Sequence, residues 1–345
     1  MSRRLQAGLT LVELMIAMTL GLLLIGGALQ VLQSSQQSYR LQENMSRLQE
    51  NGRFAIEMLA RDLRMAGFSH CGSIDRLGIH NNVKGADGDA DPSFDFDASD
   101  SLGAYQPEGA LAGSDALRLQ LADTRSLRVA AAEDSGKGGD EGGASKANLK
   151  VAGNALGLEQ DDVVTVSNCR EGDTFRITNK PRQTSDPSEV VTLAHAADGN
   201  TSPKLKGSYD EGDRLLRIRQ HGWFVGETGE RYADDKPATA LFRDTGSGPQ
   251  AIVGGVRRMR LGYGVDDDAD GSVDRYEAAA DVADWGRVVA VRASLLLETT
   301  DNHLADSPSS VIFGNAEVSA EDRRILRVFT TTVALRNRSG GGGLQ

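Results

Sequence analysis

The sequence predicts an α+β chain in which one very long N-terminal helix leads into an antiparallel β body. Three observations carry that expectation. Residues 14 to 32 are 19 successive positions without a charge, about 28 Å as a helix and close to the roughly 30 Å of a bilayer's hydrocarbon core. Residues 33 to 66 contain no proline and place apolar or small side chains at Leu41, Met45, Leu48, Gly52, Ala55, Leu59 and Ala66, spacings of three, four and seven that make one helical stripe. After Cys71 the hydrophobic period changes from helical to alternating, as in half-buried strands.

The first element carries its own orientation. Arg3 and Arg4 precede the apolar run, so the positive-inside rule puts the N-terminus in the cytoplasm and the body outside it. Glu13 is the one charge between Arg4 and Arg40. A carboxylate near a bilayer core costs about 2.5 to 3.5 kcal/mol on insertion scales, which makes it a functional-site candidate. A cleaved secretory signal with Gly26-Gly27-Ala28 as its small-residue site is the competing reading. The uninterrupted stripe that follows favours a single helix of more than 50 residues, about 85 Å long, whose outer half packs against the body.

Alternating segments mark the body. Leu117-Leu119-Leu121, Val163-Val164-Val166, Phe175-Ile177, Val190-Val191-Leu193 and Leu215-Leu216-Ile218 read as short strands between Gly, Asp and Asn. Trp223 to Val225, Ala240 to Phe242, Met259 to Tyr263, Val288 to Leu297 and Leu326 to Leu335 follow. Trp223 and Phe224 fit a sheet core better than a ligand platform. The expected organisation is a leader at 1–8, a transmembrane half-helix at 9–32, an amphipathic half at 33–66, a β-rich body at 67–338 and a flexible tail at 339–345. Residues 133 to 145 (EDSGKGGDEGGAS) and the acidic stretch 85 to 100 read as loops.

Composition narrows function. A chain of 345 residues with 39% hydrophobic content can bury a core, and a net charge of −11 argues against a nucleic-acid partner. The histidines at 70, 80, 195, 221 and 303 form no HExxH pair, and no GxSxG or phosphate loop follows a strand. No enzyme is expected. Cys71 and Cys169 make no CxxC motif, and in an exported body they are expected to pair, tying the end of the helix to the sheet.

The strongest chemical pattern begins at Asp266. Asp266, Asp268 and Asp270 alternate, Gly271 is sixth, Ser272 seventh, Asp274 ninth and Glu277 twelfth, the spacing of a calcium loop. Calcium takes six to eight hard oxygens; three carboxylates would converge, Ser272 would give its carbonyl, Asp274 would bind directly or through water and Glu277 with both oxygens. Val273 would anchor the loop to the body. The preceding MRLGYGV reads as a strand, so the loop would sit outside a helix-loop-helix, and Ca2+ would be structural. Asp87, Asp89 and Asp91 also alternate, but Pro92 replaces the needed glycine, and this stretch reads as a solvated loop.

The N-terminus, a basic leader ending in Gly8 and then Leu9-Thr10-Leu11-Val12-Glu13 before the apolar run, resembles the class III signal of type IV pilins and type II secretion pseudopilins. Residues 39 to 72, 261 to 276 (LGYGVDDDADGSVDRY) and 327 to 338 (RVFTTTVALRNR) are similar to the PilW family of minor pilins. The resemblance implies a type IV pilin-like fold, cutting after Gly8 by the prepilin peptidase and methylation at Leu9, where most members carry Phe. It implies that Glu13 pairs with a neighbour's N-terminal amine to set register. The implied partners are other minor pilins, the major pilin and the inner-membrane assembly machinery. A minor pseudopilin of type II secretion and a pilus-tip adhesin are the alternatives.

Overall fold

The computed structural model describes residues 11–71, 77–91, 101–130 and 148–338. Helix α1 runs unbroken from Leu11 to Met65, so the apolar run and the stripe are one element. Its packing begins at Leu41, and Asn44, Leu48, Gly52, Ala55, Leu59, Ala60, Asp62 and Leu63 are buried against the body; residues 33 to 40, expected as part of the amphipathic half, are exposed. Gly52 is required by contact, since a Cβ there would lie 2.3 Å from the Phe329 ring. The helix stops at Gly67, which takes φ +70° and donates its amide to Gln120 O at 3.0 Å, a glycine terminus that hands the chain to the sheet.

Among the described residues the strands are β1 (Gly78–Asn81), β2 (Leu102–Ala104), β3 (Leu117–Arg128), β4 (Asn148–Ala152), β5 (Val163–Ser167), β6 (Glu171–Arg176), β7 (Val190–Ala194) and β8 (Arg214–Arg231). There follow β9 (Pro237–Asp244), β10 (Pro249–Gly254), β11 (Val256–Val265), β12 (Arg275–Glu277), β13 (Val288–Glu298), β14 (Ser310–Phe313), β15 (Ala316–Ser319) and β16 (Leu326–Ala334). Pairing is antiparallel except between β1 and β6. The expected single sheet divides in two: one ordered β1-β6-β5-β8-β3-β2 with β9 and β10 extending from β8, and a four-stranded sheet β12-β11-β13-β16. A two-stranded sheet of β4 and β7 and the β14/β15 hairpin complete the body.

Two expected strands, Leu215–Ile218 and Trp223–Val225, are one 18-residue strand, β8. Gln220, His221 and Gly222 break the apolar alternation between them, and the ladder continues because Gly222 and His221 pair with Arg118 and Leu119 of β3. Strands β3 and β8 therefore serve two cores. One gathers Leu48, Leu59 and Leu63 of the helix with Trp223, Val225, Met259, Tyr263 and Leu295. The other gathers Leu127, Leu149, Val164, Val166, Phe175, Leu193 and Leu215 and contains no residue of the helix. The loop expected at 133–145, the tail at 339–343 and positions 92–100 lie outside the described residues. The described part of the acidic stretch is a tight turn, with Gly85 N bonded to Asp89 O at 2.7 Å.

Candidate functional site

The inner half of α1 has exposed apolar side chains throughout, among them Leu22, Leu23 and Leu24 at 69, 73 and 76%. Among the described residues this is the one helix long and apolar enough to cross a membrane. Its polar Thr19 is satisfied locally by Ile16 O at 2.9 Å and Met15 O at 3.1 Å, a bond open to hydroxyls inside an apolar helix. Glu13 lies in the first turn. Gly8 and Leu9 fall outside the described residues.

Just past the helix, Cys71 is joined to Cys169 in a disulfide with Cα atoms 5.1 Å apart. Cys169 occupies the turn between β5 and β6 with φ +66°. The bridge fastens the helix exit to the sheet, as the cysteine arithmetic anticipates.

The acidic loop connects β11 to β12. Ligand oxygens of Asp266, Asp268 and Asp274 lie within 4.8 Å of one another. The backbone turns on Ala269 (φ +63°) and Gly271 (φ +89°), and Asp266 accepts from the Gly271 amide at 2.8 Å and the Asp270 amide at 3.2 Å. Burial pushes the Asp266 carboxyl up, but the amides of Gly271, Ala269 and Asp270 outweigh it and hold the group below the usual carboxylate range. The carboxylates of Asp270 and Glu277 stand outside this group of three. Asp270 accepts from the Ser272 amide at 2.7 Å, and Glu277, at the end of β12, accepts from Arg275 Nε at 2.8 Å. Val273 packs as expected, its methyls 2.8 Å from where a Cβ on Gly264 would stand.

Two buried charge clusters escaped the sequence reading. Asp62 on α1 accepts from Trp223 Nε1 at 3.0 Å, meets His221 Nδ1 at 2.8 Å and pairs with Arg243 Nε at 3.0 Å, which joins the helix to β8 and β9. Beneath the mid-helix, Arg324 is 1% exposed, pairs with Asp234 at 2.8 Å and with Asp322, and lies 4.6 Å over the Tyr232 ring. Its hydrogen bond holds the Asp234 carboxyl far below the usual range. Asn44 donates to Asp301 at 3.0 Å and ties the helix to the neighbouring loop. A signal for Asp62 was present: it is an acid directly beside the core position Leu63 in a helix that otherwise carries its charges outward.

A helix of this length, bare and apolar at one end and packed through its other half on a sheet, is the architecture of a pilin. Two sequence comparisons point the same way. The prokaryotic N-terminal methylation motif matches residues 3–29, and the family described as Type IV Pilus-assembly protein W, PilW, matches residues 231–337. Through these two matches the chain is similar to PilW-like type IV pilins. No curated protein and no solved structure matches it. The PilW match runs from the end of β8 through β16 and so holds the acidic loop, the Arg324 cluster and the four-stranded sheet. These domains indicate a structural pilus component rather than an enzyme.

Proposed function

We propose that this PilW-like chain is a minor pilin that is inserted in the inner membrane with its body in the periplasm, cut after Gly8, and built into the type IV pilus, where with other minor pilins it primes assembly in a tip complex. The observation that carries the reading is the continuity of α1: the same rod that is bare and apolar from Leu11 to Leu32 is anchored in the body from Leu41 to Leu63. A subunit so built is withdrawn from lipid into a helical bundle without refolding. Glu13 then fixes axial register by pairing with the N-terminal amine of a neighbour, which offsets the cost of a carboxylate at that depth. Gly8→Val is expected to leave uncut protein in the membrane, and Glu13→Ala to give cut protein absent from sheared fibres. Normal incorporation of Glu13→Ala would end the register assignment, and normal fibre numbers in a deletion strain would end the assembly role.

The same reading gives the acidic loop a structural Ca2+, held by Asp266, Asp268 and Asp274, with Asp270, Ser272 and Glu277 completing the pattern. Crowded carboxylates repel one another unless neutralised, and a cation bound only by the folded state stabilises it by mass action, about 2.7 kcal/mol at a hundredfold excess over Kd. Calorimetry of the full chain in detergent is expected to show a melting temperature that rises with calcium and falls with a chelator. Asp268→Ala should abolish the response; an unresponsive parent chain excludes the ion.

A further inference from the structure

The four-stranded sheet ends on β16, and its hydrogen-bond phase can be read. Leu335 N bonds Val289 O at 2.8 Å and Thr299 N bonds Ile325 O at 3.1 Å. With the unbroken register Ala290↔Ala334 to Glu298↔Leu326, the odd-numbered residues of β16 point their amides and carbonyls at β13 and the even-numbered ones point them outward. The outward amide of Leu326 is taken by Ser309 Oγ at 2.9 Å, and the β14/β15 hairpin packs on Leu326 and Val328. Beyond it, no hydrogen bond from the outward amides of Thr330, Thr332 and Ala334 occurs among the described residues. The strand has no proline, lysine or bulge, the devices that blunt an exposed edge, and its Val-Phe-Thr-Thr-Thr-Val run favours the extended state.

A second observation lies beside this edge. A groove of about 320 Å³ runs between the helix and β16, lined by Gln49, Arg53, Ile56, Arg327, Phe329 and Thr330. Its floor is apolar, with Ile56 and Phe329 half-buried, and its lips are Arg53 and Arg327, both exposed and in no ion pair among the described residues. A strand added to β16 lays alternate side chains into this groove.

We propose that the outer edge of β16 is a strand-addition site for an extended segment of another pilus subunit, one that presents an apolar side chain to Ile56 and Phe329 and acids to Arg53 and Arg327. A second copy is the poorer occupant: antiparallel self-pairing about Thr331 sets Arg327 opposite Leu335, and residues 326–336 carry no acid to meet Arg53 and Arg327. The inference rests on the minor-pilin reading.

The test is amide hydrogen exchange on the full-length chain, in detergent alone and in the complex recovered from cells expressing all pilus subunits. In the complex, the Thr330, Thr332 and Ala334 amides are expected to slow by at least about tenfold, as paired amides do. Thr330→Pro removes an N–H that β13 does not use, so the sheet should stand, with unchanged protection at Val291 and Ala293, while the slowing is lost; Arg53→Glu with Arg327→Glu should also abolish it. A chain that enters the complex with β16 exchange unchanged overturns the edge site and leaves the function intact, whereas absence from the complex overturns both. Protection that grows with concentration in the isolated chain assigns the edge to a second copy, and protection lost on removal of residues 339–345 assigns it to the chain's own tail; either result overturns the proposal.

Discussion

The two cores share strands β3 and β8 but are held by different chemistry. In the first, buried polar groups are ionic and come from distant parts of the chain: Asp62 meets His221, Trp223 and Arg243, and Glu298, 3% exposed, faces Lys236 at 3.1 Å and Arg257 at 3.5 Å. In the second, the fully buried Asp173 is met by neutral donors of one loop, the Tyr209 hydroxyl at 2.7 Å and the amides of Gly207 and Lys206 at 2.8 and 3.1 Å. Strands β4 to β7 lie in the chain between β3 and β8, so the second core is an excursion between two paired strands, attached to the helix exit by the disulfide. The PilW match falls in the region of the first. The helix is thus fixed to the body by long-range ion pairs, and the excursion is closed by local hydrogen bonds.

The sharpest way to break this contrast is to remove the helix's own charge. Asp62→Ala leaves Arg243, His221 and the Trp223 indole N–H without their shared acceptor at a site where the carboxylate side chain is only 10% exposed. Breaking a buried pair costs about 3 to 5 kcal/mol. Denaturant unfolding should register that loss, with exchange accelerated at Trp223 and Val225 and unchanged at Val164 and Phe175. A loss below about 1 kcal/mol would assign the helix lock to packing alone.

How far the sequence reveals these features depends on whether the signal is local. The helix, its stripe and its end at Gly67 were legible because a 3.6-residue period and a glycine stop lie within one segment, and β3, β5, β11, β13 and β16 because their alternation does. Strands β1, β2, β4, β10, β12, β14 and β15 were not singled out: they run three to six residues, a length at which the valine-rich β5 and β7 still register through composition. The merging of two expected strands into β8 and the pairing of Asp62 were hidden for one reason. His221 interrupts the alternation, and its partner is 159 residues away. The acidic loop was legible as a pattern, yet Glu277 pairs with Arg275 two residues back, a competition that spacing does not express.

The disulfide sharpens the comparison from the other side. Its ends are 98 residues apart, and removing a native bridge from a domain costs about 2 to 5 kcal/mol. Replacing Cys71 and Cys169 together by serine should accelerate exchange at Val164, Val166 and Phe175 while leaving Met259, Val291 and Leu295 protected. Equal loosening of both sets would mean that the two cores unfold as one cooperative unit.

The smallest effect separates the cores by pH. His195 is fully buried and packs at a tilt against the Phe175 ring, centroids 5.0 Å apart. Burial pushes its imidazole pKa down from 6.5, and the backbone carbonyls of His195 and Pro203 and the charge of Asp173 offset only part of that. Because the folded pKa lies below the unfolded value, the unfolded chain takes up the proton first, so the contribution is intact above pH 6.5 and is lost as pH falls below it, by at most about 1.4 kcal/mol per pH unit. His80, also lowered chiefly by burial, adds in the same direction. The depressed carboxylates that pair with Arg324, those of Asp234 and Asp322, have the opposite sign: their stabilisation is present above about pH 4 and goes only as pH falls beneath it. Between pH 7 and 5 the protection factors, taken relative to intrinsic exchange at each pH, should therefore fall at Phe175 and Val191 and hold steady at Leu295. His195→Leu should flatten most of that slope, and an unchanged slope in the variant would place the acid sensitivity in a different group.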